Sequence, residues 1–292
     1  MGKWMIAGAC VGLLLPFGTT LMVTGNMQGA QYVRQQERME AGNYRILLDQ
    51  SEGSENGKWL SLEEYIPSVL AVQISPDSEM EAIKAQAVIA RTYIRQQMEK
   101  VENGSEISET ALGLLRKPRE ELKKTAGIVM TYQGKLITPL FCRSSAGTTR
   151  NGGENYPYLL AVSCPDDPEA EDFISYLSFS GAQAAEALNK FKVRPEAFPS
   201  KVQIVKRDAS GYVEEIQMDG VSITGEEAAD ALGLPSSCFF TEPQEKGISI
   251  TVKGNGHGYG LSQHEAQAKA MEGWDFKHIL EYFYSDIEFL TE

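Results

Sequence analysis

Glu79-Met-Glu-Ala-Ile-Lys-Ala-Gln-Ala-Val-Ile-Ala-Arg-Thr-Tyr93 is the stretch on which the reading of the fold turns. Apolar Met80, Ile83, Ala87, Ala90 and Ile94 recur at helical spacing, and Glu79 and Glu81 suit the positive end of a helix dipole, so a helix is expected from residue 78 or 79 to about 99. Lys84, Ala87 and Arg91 fall near one face, and the small alanines permit close helix contact. By pattern alone such a helix is most simply a core element. Just ahead of it, Ser61-Leu-Glu-Glu64 has the form of a capping box, opening a helix to about residue 72.

Around these two helices the strand signals do not alternate regularly with helix signals. Residues 44–48 read as a strand, and 128–132 and 136–141 as a hairpin through Gln133-Gly134. A second hairpin, 202–206 with 213–218, flanks Asp208-Ala-Ser-Gly211, and a further strand is expected at 248–252. Short helices are expected at 119–124, from Thr224-Gly-Glu-Glu227 to Leu232, and after Ser262, with Glu265 three residues on. The Gly-, Pro- and Asp-rich stretch 144–172 reads as a long loop, and no internal repeat is evident. Helices mixed with antiparallel hairpins make the fold class α+β.

Composition narrows the function. The chain has 292 residues, 42% of them hydrophobic, and its 40 Asp and Glu against 27 Lys and Arg give a formal charge of -13. It is a folded protein, and nucleic acid, whose phosphates demand a basic stripe, is not the expected partner. After Lys3 no charged residue occurs until Arg34, and residues 4 to about 25 are mostly apolar, roughly the 20 that a helix needs to span a bilayer. A cleaved signal peptide is the competing reading, but the run is long for one and no cleavage site follows it. Residues 1–27 are therefore expected to be a cytoplasmic tip and transmembrane anchor, 28–43 a stalk, and 44–292 the working domain. Lys3 on the short side favours a cytoplasmic N-terminus, hence a single-pass protein of the cell membrane with an exoplasmic C-terminal domain.

Two segments carry candidate chemistry. In Gly254-Asn-Gly-His-Gly-Tyr-Gly-Leu-Ser-Gln-His264, glycines at alternate positions permit positive φ and close approach of a ligand, while His257, Ser262 and Gln263 offer donors and acceptors on a short arc. The plainer reading of these glycines is a tightly packed turn. Cys142 and Cys164 bracket the other loop, and a disulfide, a metal site shared with a histidine, and two free thiols are all compatible with them. No metal or other cofactor is assigned.

Taken together, Glu64-Tyr65, Lys84-Ala-Gln-Ala87, Ala90-Arg-Thr-Tyr93, Ser144-Ser-Ala-Gly147 and Gly256-His-Gly-Tyr-Gly-Leu-Ser-Gln263 closely resemble the SpoIID/LytB family of stage II sporulation protein D and the amidase enhancers. The motifs run in order from about residue 44 to 283. The resemblance implies a single-span protein acting on peptidoglycan glycan strands, as a lytic transglycosylase of forespore engulfment or beside a partner cell-wall amidase. It also implies substrate-binding roles for Arg91, Tyr93, Ser144, Ser145, His257, Tyr259, Ser262 and Gln263.

One departure stands out. The family pattern has an acidic residue, the catalytic acid/base, eight residues after the Tyr of Glu-Tyr, and counting without a gap from Tyr65 puts Gln73 there. Glu79-Met80 resembles the missing motif only after a register shift and a compensating deletion before Lys84. Lytic cleavage needs a group that protonates the glycosidic oxygen and then takes a proton from the muramoyl hydroxyl. Gln has no titratable proton, though its amide still hydrogen-bonds a sugar. A catalytically degenerate glycan-binding protein, or an activator of a partner amidase, is therefore the alternative to the enzyme.

Overall fold

The computed structural model describes residues 45–49, 58–100, 106–108, 119–194 and 201–292. In chain order its elements begin β1 (Arg45–Asp49), β2 (Lys58–Ser61), α1 (Leu62–Gln73), α2 (Met80–Lys100), β3 (Glu106–Ser108), α3 (Arg119–Leu122), β4 (Ile128–Tyr132) and β5 (Lys135–Leu136). There follow β6 (Phe141–Cys142), β7 (Ile174–Ser180), α4 (Gly181–Ala187), β8 (Val202–Arg207), β9 (Val213–Met218), β10 (Val221–Thr224) and α5 (Gly225–Leu232). The last are β11 (Phe239–Gln244), β12 (Gly247–Lys253), β13 (Leu261–Ser262), α6 (Gln263–Met271), α7 (Phe276–Phe283) and β14 (Glu288–Thr291). The fold is α+β, with helices and mainly antiparallel sheets. The expected anchor (1–27) and stalk (28–43) lie outside the described residues, among which no helix is long and apolar enough to cross a membrane.

The described residues form two compact units. The first holds those up to Pro139, with Trp274–His278 and Asp286–Glu292. Its sheets are β2-β1-β3 and β14-β4-β5. Ser61 caps α1 as its sequence predicts: its hydroxyl accepts from the Glu64 amide, and the Glu64 carboxylate accepts from the Ser61 amide at 2.8 Å. Helix α2 is buried on every side from Ala82 to Thr92, more than one apolar stripe requires. Its buried polar side chains are accordingly all partnered. The Thr92 hydroxyl donates to the Val88 carbonyl at 2.7 Å and accepts from the Met130 amide at 2.9 Å, tying α2 to β4. Arg95 makes a two-pronged ion pair with Glu292, at 2.6 and 2.8 Å.

The hairpin of β4 and β5 turns through Gln133 and Gly134, both at positive φ, as a two-residue loop between twisted strands demands. Its second strand ends at Leu136, well short of the expected residue 141. Phe141 and Cys142 pair instead, in parallel, with Leu261 and Ser262. Pro139, which has no amide hydrogen to donate to a ladder, falls in the break.

The second unit spans Leu140–Gly273 and Ile279–Ser285. Its sheets β10-β9-β8 and β11-β12-β7 share a core with α4 and α5, including Ile216, Phe239, Ile250 and Val252. Here the structure corrects the sequence reading, because a short motif does recur. Phe179-Ser-Gly-Ala-Gln-Ala-Ala-Glu-Ala-Leu188 and Ile223-Thr-Gly-Glu-Glu-Ala-Ala-Asp-Ala-Leu232 each end a strand, form a capping box and open a helix. The caps superpose in kind: Ser180 at φ -65, ψ 157 with Gln183, and Thr224 at φ -70, ψ 154 with Glu227. Both helices put their Ala-Ala and Leu into the same core. The repeat escapes a sequence reading because its partners outside these letters share nothing.

Candidate functional site

In the first unit, Gln73 is the last residue of α1 and half-buried. Its side-chain carbonyl accepts from Nε2 of the fully buried Gln86 at 3.0 Å, so the α1 terminus is pinned to α2 amide to amide. Arg91, only 2% exposed, is held by Glu63 through Nε at 2.6 Å and a second nitrogen at 2.8 Å, and donates to the Ile128 carbonyl at 3.1 Å. Glu63 also accepts from the Gly127 amide at 3.1 Å. Arg91 therefore fixes α1, α2 and the start of β4 together, while Tyr93 is half-buried on α2. Glu63 as its partner was not singled out from sequence, although it lies within the capping box.

The second unit gathers the remaining predicted residues. Gly254, Gly256, Gly258 and Gly260 all have positive φ. A Cβ on Gly254 would meet the Ser145 carbonyl at 2.8 Å and one on Gly256 the Cys142 Cβ at 2.7 Å, while Gly258 and Gly260 abut the Tyr212 phenol and the Leu140 carbonyl. The alternating glycines thus seat the loop against residues 140–146 and Tyr212, the plainer of the two sequence readings. The side chains between them take other partners. Asn255 donates to Asp172 at 2.8 Å, and Tyr259 stacks with the Arg150 guanidinium, 4.4 Å from the ring centroid.

Asp167, fully buried, joins this loop to the Ser144–Gly147 segment. One carboxylate oxygen accepts from both the Ser145 amide and hydroxyl at 2.6 Å, the other from the Ser262 hydroxyl at 2.6 Å. Burial pushes its carboxyl up, and the bonds from Ser145 and Ser262 oppose that rise. The Ser144 hydroxyl oxygen accepts from the Asn255 amide at 3.1 Å. Ser144, Ser145 and Ser262 are all fully buried, so their place here is in holding the two loops in register. Ser262 also caps α6, whose first residue Gln263 is half-buried.

His257 differs from its neighbours. Its Nδ1 accepts from the Tyr259 amide at 3.0 Å, which places the proton of the neutral ring on Nε2. That Nε2 is buried without a hydrogen-bond partner among the described residues. Burial, then the charge of Arg150, lowers the imidazole to about 4, so the ring is neutral at pH 7. Arg150 itself is fixed by Asp208 and Glu226, each at 2.6 Å, and lies against the rings of Tyr212 and Tyr259. Arg150, Asp167 and Tyr212 were not legible as site residues, because each acts across the sequence rather than within a motif.

Cys142 and Cys164 are free, buried thiols. Burial and the nearby Asp167 push both up. Among the described residues no cluster has the makings of a metal site.

The family model described as SpoIID, Stage II sporulation protein, matches residues 50–132, the segment that carries Gln73, Arg91 and Tyr93. Stage II sporulation protein D of Bacillus amyloliquefaciens is 28% identical over 257 residues, covering 78% of this chain and 74% of that protein. These likenesses support the resemblance to the SpoIID/LytB family. Stage II sporulation protein D of Bacillus subtilis (strain 168) is likewise 28% identical, over 77% of this chain and 73% of its own length. The amidase enhancer of the same Bacillus is 22% identical over 288 residues, 75% of this chain and 39% of that protein.

Proposed function

We propose that this protein is a sporulation-type cell-wall protein that engages peptidoglycan glycan strands and holds them without cleaving them. The observation that carries this reading is the amide of Gln73 at the family's acid/base position, hydrogen-bonded to the buried amide of Gln86. An amide neither protonates a glycosidic oxygen nor takes a proton from the muramoyl hydroxyl, so lytic transglycosylation lacks its central group. Strand binding keeps its tools. The half-buried Tyr259 offers an aromatic face rigidified by Arg150, and the Gln73 amide can still hydrogen-bond a sugar. Residues 1–27 anchor the chain in the cell membrane with residues 44–292 exoplasmic, where peptidoglycan lies; the uncharged apolar run supports this placement.

Likeness to the amidase enhancer favours a second role, in which a held strand is presented to a partner amidase. Both are tested by incubating the full chain, in mild detergent, with purified peptidoglycan sacculi. The chain should sediment with the sacculi, and release of stem peptides by an added cell-wall amidase should rise if it is an activator. Failure to sediment with sacculi would overturn the glycan reading.

A further inference from the structure

The outward face of the β11-β12-β7 sheet is unlike the rest of the surface. Ile248, Ile250 and Val252 of β12 turn into the core, which leaves Ser249, Thr251 and Lys253 on the other face. The register then builds rows across three strands. Phe240, Thr251 and Tyr176 form one row, Glu242, Ser249 and Ser178 the next, and Lys253 lies beside Ile174. Tyr176 is 78% exposed and Phe240 41%, with Ile174 exposed as well. Two rings stand on one face with a threonine between them, two inter-strand spacings or about 10 Å apart.

Charge adds a second observation. In a chain of formal charge -13, this face carries cations. The Lys253 ammonium is 5.5 Å from the Phe240 centroid. The Arg207 guanidinium lies 4.4 Å from the centroid of that ring, fixed by the Gly211 and Phe239 carbonyls at 2.8 and 2.7 Å, so that it braces Phe240. Glu242, one row along, is the acidic residue on the face.

We propose that this face is a docking surface for an anionic glycan strand, separate from the loops around His257. The proposal rests on the reading of the protein as a glycan binder. The apolar faces of sugar rings stack on Tyr176 and Phe240, whose spacing is about that of one disaccharide repeat. The hydroxyls of Thr251, Ser249 and Ser178 exchange hydrogen bonds with sugar hydroxyls, and Lys253 meets a carboxylate of the strand. A purely apolar protein partner would leave that hydroxyl band and the ammonium unmatched. The carboxylate has two sources in peptidoglycan, the stem peptide and the lactyl group exposed when the stem is removed.

The test compares the full chain with Tyr176→Ala/Phe240→Ala and with Lys253→Gln, all in mild detergent. Each is titrated against soluble glycan strands with stem peptides and against strands stripped of them by an amidase. Thermal unfolding serves as the check that the exposed substitutions leave the fold intact. The double variant should weaken strand binding by roughly ten-fold or more, as truncation of an anchoring aromatic does. Lys253→Gln should lower the salt dependence, most on the strands whose carboxylate it meets. If the unaltered chain binds strands and the double variant binds them equally well, this surface is not the dock although the protein is a glycan binder. If the unaltered chain binds neither kind of strand, both this proposal and the reading beneath it fail. Self-association that disappears in the double variant, with strand binding unchanged, would assign the face to a second copy and overturn the proposal.

Discussion

Acidification should act on this protein through His257. Its ring ionises near 4 in the fold against an ordinary value near 6.5, because burial and then Arg150 disfavour the cation. Between those two values the unfolded chain binds a proton that the folded chain refuses. The contribution of His257 is therefore intact above pH 6.5, declines as pH falls below it, and is fully lost below pH 4. At about 1.4 kcal/mol per pH unit, the loss between pH 7 and pH 5 is about 2 kcal/mol. Asp167 works in the opposite sense: its raised carboxyl takes a proton in the fold before it does in the unfolded chain, which relieves a cost as pH falls. The two are separated by His257→Asn, which keeps an acceptor for the Tyr259 amide but has nothing to titrate. Urea unfolding of both forms at pH 7 and pH 5 should show the unaltered protein losing about 2 kcal/mol more than the variant on acidification. Parallel losses in the two forms would refute the assignment of a buried, neutral imidazole.

Other consequences follow from the packing. Glu63→Gln strands the buried Arg91 guanidinium and should cost about 3 kcal/mol in urea unfolding, without affecting the cap at Ser61. Gly260→Ala drives a methyl into the Leu140 carbonyl at positive φ, whereas Gly153→Ala, also at positive φ, meets nothing; the first should cost at least about 2 kcal/mol and the second about 1. Asp167→Asn keeps one accepting oxygen but sets an NH2 where the other accepted, against Ser145 or Ser262, and a loss of about 2 kcal/mol is expected by thermal unfolding. Cys142 and Cys164, buried and held protonated, should resist a thiol reagent at pH 8 in the folded protein and react promptly in denaturant.

Local chemistry was the legible part of the sequence. The capping box at Ser61, the helix opening at Thr224, the long helix from Met80, and the Gln133-Gly134 turn are each set by residues within a few positions of one another, and each stands as read. What local reading missed was made by distant partners. Phe141 and Cys142 look like the end of a hairpin strand until Leu261 and Ser262 compete for them. Strand β7 hides in Ile174-Ser-Tyr-Leu-Ser-Phe-Ser180, whose two faces are both partly apolar because one covers the core and the other carries Tyr176 outward. The alternating glycines were visible as special, but whether they make way for a ligand or for neighbouring chain depends on Leu140, Cys142 and Tyr212, which no spacing reveals. Asp167 is the extreme case, since its partners lie 22 and 95 residues away. Gln73 is singled out in the sequence by the family resemblance, through its distance from Glu64-Tyr65, and the structure places it at the end of α1 against Gln86.

The central claim is that an amide at residue 73 separates strand holding from strand cleavage, and counting anhydro-muramic ends tests it most directly. The full chain and Gln73→Glu are incubated with sacculi and with stripped glycan strands, and newly formed anhydro-muramic ends are measured against time. A restored general acid/base contributes typically about 10² to 10⁴-fold. The unaltered protein should form ends slowly or not at all while still binding, and Gln73→Glu should form them at a readily measurable rate. Brisk formation by the unaltered protein, unchanged in Gln73→Glu, would show that another residue supplies the proton and would contradict the account.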